Sequence, residues 1–157
     1  MIKVAAALSI AVALATGARA QTTDKNPLAQ VKALKCRFTI YASGSWGKTT
    51  QEPAAQVRQP ETLSVEIDEI DTDSGSGRVT GTAGPSDVTA LLTISSLHFM
   101  ERSVTGTLNV TTVFSGEPGA KTFRAVHTRH DYLPLSLPGY LSEPSVSQHY
   151  GICETTK

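Results

Sequence analysis

Short segments in which apolar and polar residues alternate recur along most of the chain, and this pattern constrains the fold more than any other feature. In one of them Leu63, Val65 and Ile67 share a face, and the residues between them are polar or charged. A period of two residues is typical of a strand with one buried and one exposed face. Segments rich in Gly, Pro, Asp and Ser separate these runs, as expected for turns. We predict about eight strands: Cys36–Ala42, Leu63–Asp68, Arg78–Ala83, Val88–Ile94, Leu97–Arg102, Leu108–Phe114, Thr122–His130 and Gln148–Cys153.

The connections between these strands are too short for a crossover helix, so strands that follow one another are expected to pair antiparallel. The sequence therefore predicts an all-β fold, either an up-and-down barrel or a barrel-like sandwich. We favour the barrel because its closure removes the sheet edges that invite aggregation. The stretch from Gly44 to Pro60 contains two prolines. We interpret it as a loop, with or without a short irregular strand.

The first 20 residues have the pattern of a secretory signal peptide. Lys3 precedes an apolar run from Val4 to Leu14, and the small residues Ala18 and Ala20 form a cleavage site. The run is too short to span a bilayer. We therefore expect a protein exported by a bacterium to the periplasm or the medium, with no membrane segment once the signal is removed.

The rest of the chain is expected to divide into a flexible leader, residues 21–35, and a single β domain, residues 36–157. Leu28, Val31 and Leu34 have helical spacing, which allows one helical turn in the leader. The whole chain has 14 Lys and Arg against 14 Asp and Glu, and removal of the signal leaves a formal charge of −2. A slightly acidic chain is not expected to bind nucleic acid.

Cys36 and Cys153 are the two cysteines of the chain, and they lie in the first and the last predicted strands. In an oxidising compartment such a pair forms a disulfide. A reactive thiol or a metal thiolate is the alternative, but no Cys-x-x-Cys motif is present and no histidine is adjacent to either cysteine. We predict a structural bridge between the first and last strands.

Strand periodicity predicts that several polar side chains from different strands face the barrel interior together. If Phe123 and Ala125 face inward, then His127 and Arg129 do so too, whereas His127 and His130 point to opposite faces. On neighbouring strands the same argument adds Glu101 and His149. Tyr150 and Ile152 favour the opposite inward face for the last two strands, and the sequence leaves this conflict open.

The cluster of Glu101, His127, Arg129 and His149 has four interpretations: a structural salt-bridge network, a ligand-recognition site, a metal site and an acid–base site. A buried charge requires a partner, which favours the network. A metal protein or enzyme that uses His98, His127, His130 and His149 remains an alternative, since imidazole is a common metal ligand. No cofactor motif is present, so we expect no cofactor.

Trp46 is the one tryptophan, in the segment Gly44-Ser45-Trp46. This segment resembles the Gly-x-Trp of lipocalins, although Trp46 follows the first predicted strand instead of opening it, and the resemblance covers three residues. It implies a lipocalin-like closure of the barrel, with a late arginine, here Arg129, packed on the indole. A plug at one barrel end is the alternative role for Trp46.

The long segment Asp131–Ser147 has no strand pattern, and it contains three prolines and several leucines between Leu133 and Leu141. Long loops of this kind are often plugs or lids. We expect a binding module for a small apolar ligand, whose hallmark would be an interior cavity of about 300 Å³ or more. A protein-interaction or inhibitor module that acts on an envelope protein through its loops is the alternative.

Overall fold

The structure, a computed structural model, describes residues 26–46, 52–58, 62–81, 84–103, 106–131 and 144–156. The predicted signal peptide and the segment Leu133–Leu141 lie outside these ranges. The described chain contains a short 3-10 helix, Pro27–Gln30, followed by nine strands. The strands are β1 (Leu34–Trp46), β2 (Pro53–Arg58), β3 (Leu63–Asp71), β4 (Ser76–Gly81), β5 (Gly84–Leu92), β6 (Ser96–Arg102), β7 (Leu108–Phe114), β8 (Thr122–Asp131) and β9 (Ser145–Thr155).

Eight of the strands form a closed antiparallel barrel. The pairing runs from β1 through β3, β4 and onward in chain order to β9, and β9 pairs with β1 to close the ring. This confirms the predicted up-and-down topology. The Cys36–Cys153 disulfide is also present, and the two cysteines are direct partners in the register of β1 and β9.

The ninth strand, β2, lies outside the barrel. It pairs with the second half of β1, from Tyr41 to Trp46, and all six of its residues are exposed. A strand without a buried face has no apolar alternation, which is why the sequence pattern did not distinguish it from a loop.

A bulge in β1 changes which side chains point into the barrel. The register with β9 shifts between Phe38 and Ile40. Phe38 is fully buried, whereas Ile40 is exposed, and Tyr41 takes the inner position. Strict alternation along the predicted strand Cys36–Ala42 would place Ile40 on the buried face of Phe38, and this is wrong because the extra residue of a bulge reverses the alternation beyond it.

The burial of side chains identifies the inner face of the last two strands. Phe123, Ala125 and Cys153 are buried, whereas Tyr150 and Ile152 are exposed. His127 and His149 follow the buried residues with a period of two, so they belong to the inner face, and they are direct partners in the register of β8 and β9.

Apolar side chains fill one end of the barrel and the 3-10 helix covers that end. Leu28 is fully buried, and the Asn26 side chain fixes the helix because its Nδ2 donates to the Thr93 carbonyl at 2.8 Å. The described part of the predicted leader is therefore packed against the core. The core residues are Leu28, Val31, Leu34, Cys36, Phe38, Val65, Ile67, Ile70, Val79, Val88, Ala90, Leu97, Phe99, Val113, Phe123, Ala125 and Cys153.

Candidate functional site

The other end of the barrel contains a cavity of about 300 Å³, which we call the cup. It lies where β3, β5, β7 and β9 begin and where β4, β6 and β8 end. The segment that joins β8 to β9, predicted as a plug or a lid, starts and ends at this side of the barrel, but it lies outside the described residues. The cup is lined by Leu63, Val65, Val79, Gly81, Gly84, Glu101, Ser103, Thr107, Asn109, His127, Arg129 and His149.

The register of the strands arranges the inner side chains of β6 to β9 in layers. The outermost layer contains Glu101, Asn109 and Arg129 as successive cross-strand neighbours. The next layer contains Thr111, His127 and His149. Below it Val113 and Ala125 belong to the apolar core. The wall of the barrel thus changes from charged to polar to apolar with depth.

The structure places Glu101, His127, Arg129 and His149 on the wall of the same cavity, as the strand periodicity predicted. It does not make them one salt-bridge network. Arg129 forms its ion pair with Asp131, two residues along the same strand. Thr107 donates a second hydrogen bond to Asp131, at 2.7 Å. The ion pair of Arg129 thus involves a partner that the sequence argument did not include.

Glu101 is held by uncharged groups instead. The Asn109 side-chain amide donates to one carboxylate oxygen at 2.9 Å, and the Ser86 hydroxyl donates to the other. The side-chain oxygen of Asn109 is buried and has no hydrogen-bond partner among the described residues.

His127 lies at the boundary between the polar layer and the core. Its Nδ1 is 2.9 Å from the Thr111 hydroxyl, and its ring centroid is 5.8 Å from that of Phe38. Burial, with smaller contributions from nearby His149 and Arg129 that outweigh the opposing Glu101 carboxylate, lowers the pKa of His127 from 6.5 to about 4. The imidazole is therefore uncharged at neutral pH and acts as a hydrogen-bonding group.

The depressed pKa of His127 makes folding stability depend on pH. Below pH 6.5 the unfolded chain takes up a proton at this residue that the folded chain refuses until about pH 4. Stability should therefore fall as the pH drops through this window, by roughly 3 kcal/mol in total. Denaturation in urea at several pH values should show a smaller loss in His127→Asn, and equal losses in both proteins would contradict the assignment.

The other two histidines do not join the cup. His98 lies on the outer face of β6, where its ring bonds to the hydroxyls of Ser96 and Thr112. His130 is exposed, and its position on β8 is one residue out of phase with the inner face. The described part of the chain contains no group of three or more His, Cys, Asp or Glu that could hold a metal ion.

Trp46 is separate from the cup. It is the last residue of β1, it pairs with Pro53 of β2, and 43% of its surface is exposed. It is not part of the cup lining, and the ion pair of Arg129 is with Asp131. The structure thus does not group Trp46 with the other four predicted site residues.

Several polar residues of the site escaped the sequence argument, among them Asn109 and Thr111. They alternate with Val110 and Thr112 on β7, and the prediction of the strand Leu108–Phe114 did not assign its faces. The fully buried Val113 shares a face with Asn109 and Thr111, so assigning the strand by Val113 would have placed both residues inside.

A scan against protein-family models found no match, and neither the curated proteins nor the solved structures contain a significant match to the chain. Within the described ranges there is no helix with the length and apolar character needed to cross a membrane.

Proposed function

We propose that the protein is a non-catalytic binding module that holds one small molecule in the cup. The observation that carries the proposal is the wall of this cavity, whose side chains change from charged to polar to apolar with depth. The opposite end of the barrel is filled by the core. Its volume of about 300 Å³ is at the lower end of the range of small-molecule sites. Eight-stranded barrels are wide enough to be filled by side chains or to hold one small ligand.

The lining favours an amphipathic ligand over a purely apolar one. Leu63, Val65 and Val79 form an apolar side of the cup on β3 and β4, opposite the polar layers of β6 to β9. A few placed polar groups in a partly apolar pocket fix the orientation of a ligand. The ligand we propose therefore has an apolar body and a hydrogen-bonding group, in contrast to the purely apolar ligand expected from the sequence.

We also propose that the domain acts outside the cytoplasm. The signal-type pattern of residues 1–20 supports this, and the disulfide is consistent with it, since disulfides persist in oxidising compartments.

A blocked cup provides the test of binding. Gly81 lines the cup, and a Cβ added there would meet no atom within 4 Å. Gly81→Leu therefore introduces its Cβ without a clash, and its side chain on the inner face of β4 should occupy part of the cup. Thr80→Leu is the matched control, since Thr80 is exposed on the adjacent position of β4. The protein should be purified under native conditions from the cells that make it and weighed by native mass spectrometry.

Wild type and Thr80→Leu should both carry a small molecule that Gly81→Leu lacks. A bound molecule that persists in Gly81→Leu would place the site elsewhere. Wild-type protein with only its chain mass would contradict the proposal.

A further inference from the structure

Glu101 is a charged group of the cup that forms no ion pair with any of the described residues. Its carboxylate accepts hydrogen bonds from Ser86 and Asn109, both uncharged. The positively charged Arg129 forms an ion pair with Asp131. A partly buried carboxylate with only neutral donors gains from a cation, because the electrostatic attraction is screened less there than in water.

The register places Asn109 beside this carboxylate. Glu101 and Asn109 are directly opposed on adjacent strands, and the Asn109 side-chain amide donates to one carboxylate oxygen. The side-chain oxygen of Asn109 is screened from solvent, so a ligand in the cup meets the Glu101 carboxylate rather than this oxygen.

The apolar side of the cup fits an uncharged body. Val65 and Val79 are buried, and Leu63 is half-buried above them. These side chains lie on β3 and β4, whereas Glu101 lies on β6. A ligand that spans the cup therefore meets the carboxylate at one end and aliphatic carbon at the other.

We propose that the ligand of the cup is an organic ammonium ion, whose N–H groups bond to the Glu101 carboxylate while its aliphatic part contacts Leu63, Val65 and Val79. This proposal rests on the proposed function and specifies its ligand class. It also assigns roles: Glu101 provides the charge recognition, and Asn109 positions the carboxylate through the hydrogen bond that it donates.

The test compares three probes of equal chain length that differ in charge: n-pentylammonium, n-pentanol and n-pentanoate. Each is titrated at neutral pH into the full folded protein, and binding is followed by two-dimensional ¹H–¹⁵N NMR. The wild type should bind n-pentylammonium most tightly, with shifts at the Asn109 side-chain amide. Glu101→Gln should weaken this binding by roughly tenfold or more, the effect of removing a charged partner from a hydrogen bond.

Two further variants keep the test informative. Glu154→Gln makes the same change at an exposed site on β9 and should leave the affinity unaltered. Arg129→Gln removes the nearby positive charge and should tighten binding of n-pentylammonium, so it provides a gain of affinity if Glu101→Gln does not fold.

The outcomes separate this inference from the proposed function. Equal or tighter binding of n-pentanol or n-pentanoate in the cup would overturn the ammonium assignment and leave a small-molecule site in place. Unchanged n-pentylammonium binding in Glu101→Gln, or no shift at the cup with any probe, would also overturn the assignment. The native mass measurement on Gly81→Leu then decides independently whether the cup binds a molecule at all.

Discussion

Replacing both Cys36 and Cys153 with alanine is expected to lower the free energy of unfolding by at least about 4–5 kcal/mol, which is the loop-closure entropy alone of a bridge over some 100 residues. The bridge spans 117 residues of sequence and joins β1 to β9, the pair of strands that closes the barrel. Without it the unfolded chain regains the freedom to separate its two ends. The measurement is urea denaturation of the oxidised wild type and the double variant at neutral pH.

The wild type in the presence of a reductant is the control for the lost side-chain volume. Both cysteines are fully buried, so alanine also removes packing that the reduced thiols retain. The reduced wild type should therefore be intermediate between the oxidised protein and the double variant. A reduced protein with the unfolding midpoint of the oxidised one would mean that the bridge contributes nothing to stability.

Gly151→Val is expected to have the second large effect, a destabilisation of about 3 kcal/mol or more, at or above the upper end for overpacking. A Cβ at Gly151 would overlap the carbonyl oxygen of Arg37 and lie 2.6 Å from the Cα of Phe38. Both atoms belong to the backbone of β1 beside the bulge. Because backbone atoms cannot rotate away as a side chain can, the two closing strands would have to separate.

Gly81→Val is the matched control for this prediction. Its Cβ meets no atom within 4 Å, and valine is favoured in strands over glycine. Thermal and urea unfolding should therefore show Gly81→Val close to the wild type and Gly151→Val far below it. Equal stability of the two variants would show that β1 and β9 do not approach each other at the bulge as described.

The sequence predicts most of the barrel because its strands obey one simple rule. Where a strand has one face in the core and one in water, as in Leu63, Val65 and Ile67, the alternation reveals both the strand and its faces. The rule fails at β2, which has no buried residue, and at β1 beyond Phe38, where the bulge inserts one residue. At the bulge the backbone of β1 approaches Gly151 of β9, where a side chain would not fit. Because this contact involves the partner strand, the sequence of β1 alone does not reveal the bulge.

The candidate site shows the same limit. Counting by two from Phe123 placed His127 and Arg129 inside the barrel, because β8 has no bulge. The partner of Arg129 was not predicted, since Asp131 lies at the strand end, where the sequence pattern becomes a loop. The contact of Asn109 with Glu101 was not predicted either, because it depends on which groups the neighbouring strands bring opposite each other.

The most direct test of the central claim, that the cup holds a small molecule, is a crystal structure of the protein purified under native conditions from the cells that make it. The account predicts electron density for one non-protein molecule between the apolar side chains of Leu63 and Val79 and the polar groups of Glu101 and Asn109. A cup that contains only ordered water, or one closed by its own side chains, would contradict the account.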